Sequence, residues 1–179
     1  MKPRYTSTAI ALHWLIALGI LATFALGLYM SDLGLSPTKL KLYSWHKWAG
    51  VSLFVLIVFR LGWRLTHPAP ALPDSMAPLL RRAAAVSHWL LYALMLAIPL
   101  SGWLMSSAKG FQTVWFGVLP LPDLLAKDAA LGDALKEVHE FLNDTLLVLV
   151  VLHTAAALKH HFIDRDTVLT RMLPGPRQS

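Results

Sequence analysis

The stretch VHEFLNDTLLVLVVLHTAAALKHHF, Val138–Phe162, decides how this chain folds. It has the length of a membrane-crossing helix, yet it carries imidazoles at His139 and His153. Those two lie 14 residues apart, about 21 Å along a helix and about 40° short of four whole turns, so they share one face. An imidazole in hydrocarbon is costly unless something satisfies it, and an intramembrane histidine therefore reads as a functional group. Three further apolar runs each repeat the feature: His13 in Ala9–Met30, His46 in Trp45–Leu65 and His88 in Ala83–Met105.

Composition supports a membrane protein. The 179 residues are 56% hydrophobic and only 15% charged, with mean hydropathy +0.54, against about 25% charged in a soluble domain. Four runs of roughly 20 residues match a hydrocarbon core of about 30 Å. The reading is an all-α membrane protein, a bundle of four transmembrane helices over about 8–30, 44–65, 79–107 and 138–162, forming one integral membrane domain across 1–179. Leu131–Lys136 is expected to lead helically into the fourth span. The first run exceeds the 7–15 apolar residues of a signal peptide and is expected to be retained. The connector carries Pro68, Pro70, Pro73 and Pro78 and reads as extended, Pro99 as a kink, and Phe111–Pro122 as an interfacial loop. Trp14, Trp45, Trp48, Trp63, Trp89 and Trp103 fall near span ends, as interfacial anchors do.

The net charge of +6 is sorted by side rather than gathered into a nucleic-acid surface. Ten of the sixteen Lys and Arg, including every arginine, lie in the N-terminus, in Arg60–Arg82 or in the C-terminal tail. The alternate loops hold the other six and, with Asp144, seven of the ten acids. By the positive-inside rule both termini are cytoplasmic, and no nucleic-acid partner is expected. Arg60 and Arg64 are expected to snorkel to the inner headgroups, and Arg81, Arg82 and Lys159 to bind lipid phosphates.

With the N-terminus inside, His46 and His139 begin inward-running helices and sit at the outer level. His13 and His88 begin outward-running helices and lie near the inner level, as does His153. Two stacked imidazole pairs suit two bis-histidine haems in a four-helix bundle. Depth leaves open whether His13 or His88 faces His153. The chain has no cysteine, which excludes disulfides, thioether-attached haem and thiolate iron–sulfur clusters. Gly19, Gly27 and Gly50 offer gaps for a porphyrin edge, or for close helix packing.

The motifs Ala11-Leu12-His13-Trp14, Trp45-His46-Lys47-Trp48-Ala49-Gly50, His88-Trp89-Leu90-Leu91-Tyr92, Val138-His139-Glu140 and Leu152-His153-Thr154-Ala155-Ala156-Ala157-Leu158-Lys159-His160-His161 resemble the bacterial cytochrome b561 family, in particular its superoxide-oxidase branch. The resemblance covers essentially the whole chain. It implies a diheme b-type cytochrome of the bacterial inner membrane that carries electrons from periplasmic superoxide to ubiquinone. It implies His46 and His139 as ligands of the outer haem b, His13 and His153 of the inner one, and His88 and His160 near the quinone. No separate catalytic residue is assigned. Lys39, Lys41 and Lys47 precede or flank His46 and would draw an anion there. Two other readings compete. One is a cytochrome b subunit served by a periplasmic redox partner docking on 106–136. The other is a histidine-lined metal carrier, disfavoured because Asp144 is the sole carboxylate within Phe141–Phe162 and the other three apolar runs.

Overall fold

A computed structural model of the chain describes residues 4–73 and 76–175, so Lys2, Asp74 and Arg177 lie outside the described residues. Four helices account for most of it: α1 Ser7–Ser31, α2 Pro37–Thr66, α3 Pro78–Ala108 and α4 Ala129–Phe162. All four are long and apolar enough to cross a membrane.

The helix starts follow from capping chemistry. Thr6 accepts from the Ala9 N–H at 3.2 Å, Ser36 from Lys39 N–H at 3.2 Å, and Asp128 from Leu131 N–H at 3.0 Å. A side-chain oxygen there satisfies one of the donors a helix start leaves open. Ser36-Pro37, which looks like a turn, is therefore a cap followed by proline in the first turn. It starts α2 seven residues before the expected Ser44. Asp128 likewise starts α4 nine residues before Val138. At about 1.5 Å per residue α4 exceeds a hydrocarbon core by several turns, so its first turns project beyond the lipid.

The interfacial loop is more ordered than expected. Val114–Trp115 (β1) pairs antiparallel with Leu119–Pro120 (β2), and the chain turns through Phe116 at φ 51° and Gly117 at φ 73°. Adjacent left-handed residues match the right-handed twist of a hairpin. The hairpin is tied to α2, with Trp48 Nε1 donating to Val114 O at 2.6 Å and Trp115 Nε1 to Ser52 Oγ at 3.2 Å.

Trp48 is therefore a strut rather than a free lipid anchor. Trp14, Trp63 and Trp103 likewise donate their N–H to Met172 O, Thr6 Oγ1 and Pro122 O. Trp45 and Trp89, at 45% and 56% exposed, keep the character of an interfacial belt.

The hydrophobic core joins three helices. Leu12 and Ile16 of α1, Ile57 of α2 and Tyr92 of α3 form it, with Leu53 and Met95 packed alongside. Gly19 serves this packing: a Cβ there would stand 2.7 Å from Leu53 Cδ2. The fourth helix contributes nothing to that cluster. It packs on α3, while α1 packs on α2, and neither α1 nor α2 packs closely on α4. A seam is left between α4 and the first two helices, where the paired histidines meet. Around the bundle large apolar side chains such as Leu18, Val55 and Val148 are exposed, as a lipid-facing surface requires.

At the inner end the tail folds back under the helices. Met172 O accepts from Trp14, Arg171 Nη1 donates to Ala71 O at 2.6 Å, and Arg4 donates to Leu173 O and to Gly175 O. The tail thus ties the start of α1 to the proline-rich connector.

Candidate functional site

Across the seam the structure brings together the histidines that sequence depth pairs. At the level expected to be outer, the rings of His46 (α2) and His139 (α4) have centroids 6.4 Å apart. At the level expected to be inner, His13 (α1) and His153 (α4) stand 6.3 Å apart. His88 (α3) also faces His153, at 5.4 Å. The inner level therefore holds three imidazoles and the outer level two. His160 joins neither group: its Nδ1 pairs with Asp166 Oδ2 at 2.6 Å and lies 3.3 Å from Asp164 Oδ2.

The outer pair is shaped by small residues. A Cβ on Gly27 would approach His46 Cε1 at 3.3 Å, and one on Gly102 would approach His139 Cε1 at 3.1 Å. Only glycine leaves each ring its place. Gly50, a turn from His46, faces open space. Of the glycines singled out from sequence, Gly27 borders a histidine, whereas Gly19 serves helix packing. Gly102 went unread; its signal was the small pair Ser101-Gly102 following Pro99.

Hydrogen bonding sets the rings differently. His139 Nδ1 lies 2.9 Å from Ser101 Oγ and 3.1 Å from Ile98 O, and Ser101 Oγ itself donates to Ile98 O at 2.8 Å. Two acceptors on Nδ1 leave Nε2 as the nitrogen whose lone pair is open. His88 Nδ1 is held by Ala84 O at 2.6 Å. His46 Nδ1 is buried without a hydrogen-bond partner, although the Thr23 carbonyl lies close enough to act on the ring.

These features fit a metal porphyrin. Two imidazoles bound to one metal through nitrogen place their ring centres about 6 Å apart, since each metal–nitrogen bond is about 2 Å. The spacings of 6.4 and 6.3 Å match, and 5.4 Å falls short. A neighbour holding Nδ1 while Nε2 stays available is the usual support of a ligating histidine. The open seam gives the room that closely packed backbones would deny.

Arg60 departs from expectation. It does not reach out to the headgroups; its Nη1 crosses to α1 and donates to Ala9 O at 2.6 Å. The Arg64 guanidinium lies over the Tyr92 ring, 5.8 Å from its centre.

The fold and the seam together define a class: multi-pass helical membrane proteins with imidazoles facing one another between helices. The chain belongs to the prokaryotic cytochrome b561 family, whose model matches residues 4–175. It is 40% identical over 171 residues to cytochrome b561 homolog 2 of Escherichia coli K12, covering 95% of this chain and 91% of that one. Cytochrome b561 homolog 1 of the same organism is 30% identical over 177 residues, covering 96% and 97%. The probable superoxide oxidase CybB of Yersinia pestis is 28% identical over 181 residues, covering 99% of each chain. Membership makes this a membrane electron-transfer protein of a family that binds b-type haem.

Proposed function

We propose that the chain is a diheme cytochrome b that takes electrons from superoxide at the outer face of a bacterial inner membrane and passes them to ubiquinone at the inner side. The observation that carries this reading is the two histidine pairs, at two levels of one seam, each at the spacing of a shared metal. His46 and His139 would hold the outer haem, and His13 and His153 the inner one. His13 is preferred to His88 because its ring stands at the ligating distance from His153, whereas His88 stands too near. Haem iron held between two of these imidazoles would supply a one-electron couple and leave no place for oxygen to bind.

At the outer face three lysines supply positive charge. Lys39 donates to Ser31 O and Leu33 O, Lys41 lies over the Trp45 ring at 5.1 Å, and Lys47 donates to Phe111 O at 2.9 Å. Tethered in this way they form a fixed field that attracts an anion toward His46. Two superoxide anions give up one electron each and leave as dioxygen; two electrons and two protons convert one quinone to its quinol. At the inner side His160, with Nδ1 bonded to Asp166, presents Nε2 to hold or pass a proton to a quinone oxygen. Asp166 is itself fixed by the Val168 N–H on Oδ1 at 2.8 Å. His88 would stand beside the same acceptor. Both termini would be cytoplasmic, a reading that the sorting of lysine and arginine supports.

The deciding experiment is stopped-flow mixing of the purified protein with superoxide in the presence of a short-chain ubiquinone. Two haems per chain, rapid haem reduction and quinol formation are expected; a haem-replete protein that superoxide does not reduce would sink the donor assignment. The exposed apolar tip of the hairpin, Phe116 and Val118, favours a second reading in which a periplasmic redox protein docks there. That reading predicts slow reaction with superoxide. A preparation without a Soret band would leave only the metal-carrier reading.

A further inference from the structure

Arg60 and Arg64 lie near the end of α2, on a shallow cleft also lined by Tyr5, Trp63, His67 and Tyr92. Arg60 is six residues before the last residue of α2, and His13 six residues after the first of α1, so both lie about 9 Å from the inner helix ends. The guanidinium is turned inward and held by Ala9 O, and its charge acts on His13, His88 and His153 together. Neither arginine has a carboxylate partner among the described residues. Asp164 and Asp166, the described acids at this end, are taken by Lys159, His160 and the Val168 N–H.

A half-buried arginine facing three imidazoles and no acid is electrostatically incomplete. Buried charges in proteins are paired, and among the described residues no acid offers Arg60 that pairing. A guanidinium is the side chain best shaped to bind a carboxylate through two parallel N–H groups. A b-type haem carries two carboxylate side chains, and the inner histidines lie within reach of this charge. A lipid phosphate would satisfy an arginine that pointed outward, but Arg60 points toward α1.

We infer that Arg60, assisted by Arg64, is the binding site for the carboxylate side chains of the inner haem, and so sets the potential of that haem apart from the outer one. The inference rests on the two-haem reading above. Positive charge beside a haem favours its reduced form, so the pair would make the inner haem the better electron acceptor, drawing electrons inward.

The test compares the wild-type holoprotein with R60Q, R64Q and R60K in equilibrium redox titrations followed in the visible. Reduced-minus-oxidised infrared spectra are recorded in parallel on protein whose haem carboxylates are labelled with carbon-13. R60Q should move one of two waves to lower potential, leave the other in place and shift the labelled carboxylate bands. R64Q should do the same to a smaller extent, and R60K should restore part of the wave position because it keeps the charge but loses the fork. If R60Q does not assemble, R64Q and R60K carry the same comparison. Unmoved waves, or labelled bands identical to wild type, would overturn the assignment and leave the two-haem reading intact. A single wave in the wild-type protein would instead remove that reading.

Discussion

A methyl group at Gly102 would press on His139 Cε1 at 3.1 Å, tighter than side chains normally tolerate, and Ser101 and Ile98 hold the adjacent Nδ1 in place. Gly102→Ala should therefore fold and insert but lose the outer haem, read as half the haem per chain in a pyridine haemochrome assay. Ser101→Ala keeps the Ile98 carbonyl and should only weaken retention, by about 10-fold to 100-fold, the usual cost of losing a partner behind a ligand. At the inner level the assignment of His13 over His88 is open to the same assay. His13→Ala should remove one haem, whereas His88→Ala should keep both and slow quinone reduction; the reverse pattern would exchange their roles.

At the scale of elements, the contact of α1 with α2 passes through Gly19 and Leu53. A Cβ at Gly19 meets Leu53 Cδ2 at 2.7 Å, a clash that rotation of Leu53 relieves, but the whole side chain of Gly19→Leu also has to displace Leu53 from its packing between the two helices. A loss of about 1–3 kcal/mol is expected, the common cost of overpacking, measured by unfolding in mixed detergent. Gly62→Ala, with nothing within 4 Å, should be neutral beside it. The helix ends show how much of each element was legible. Apolar runs located all four spans, because hydrocarbon thickness fixes their minimum length. The beginning of α2 was missed because the cap at Ser36 extends the helix through polar sequence that hydropathy ignores, whereas the helical lead into α4 expected from Leu131 is present and starts at Ala129. The hairpin at Val114–Pro120 was missed because its strands are two residues each, too short to show alternation.

Over the whole molecule, charge is arranged along the membrane normal. Lys39, Lys41 and Lys47 gather at the outer pair, each tethered to backbone or to a ring rather than to an acid. Replacing all three with Gln should slow the reaction with superoxide several-fold at low ionic strength and much less at high, where the Debye length contracts from about 30 Å at 0.01 M to about 3 Å at 1 M. Equal rates at both salt levels would discard steering. The paired histidines, too, were readable from depth alone, because 14 residues along α4 return to the same face at another level. What depth left open was which of two inner imidazoles meets His153, since α1 and α3 carry theirs at similar height.

The sequence by itself determined the class of this protein: four spans, and imidazoles at two levels. Those properties depend on hydrocarbon length and helical period, which act locally along the chain. Lateral neighbourhood was decided only by tertiary structure. It put α4 on α3 and left a seam toward α1 and α2, set His13 rather than His88 at ligating distance, and turned Arg60 inward to Ala9. Helix rotation and the choice of neighbour depend on side-chain packing between segments far apart in sequence, and no local pattern encodes it.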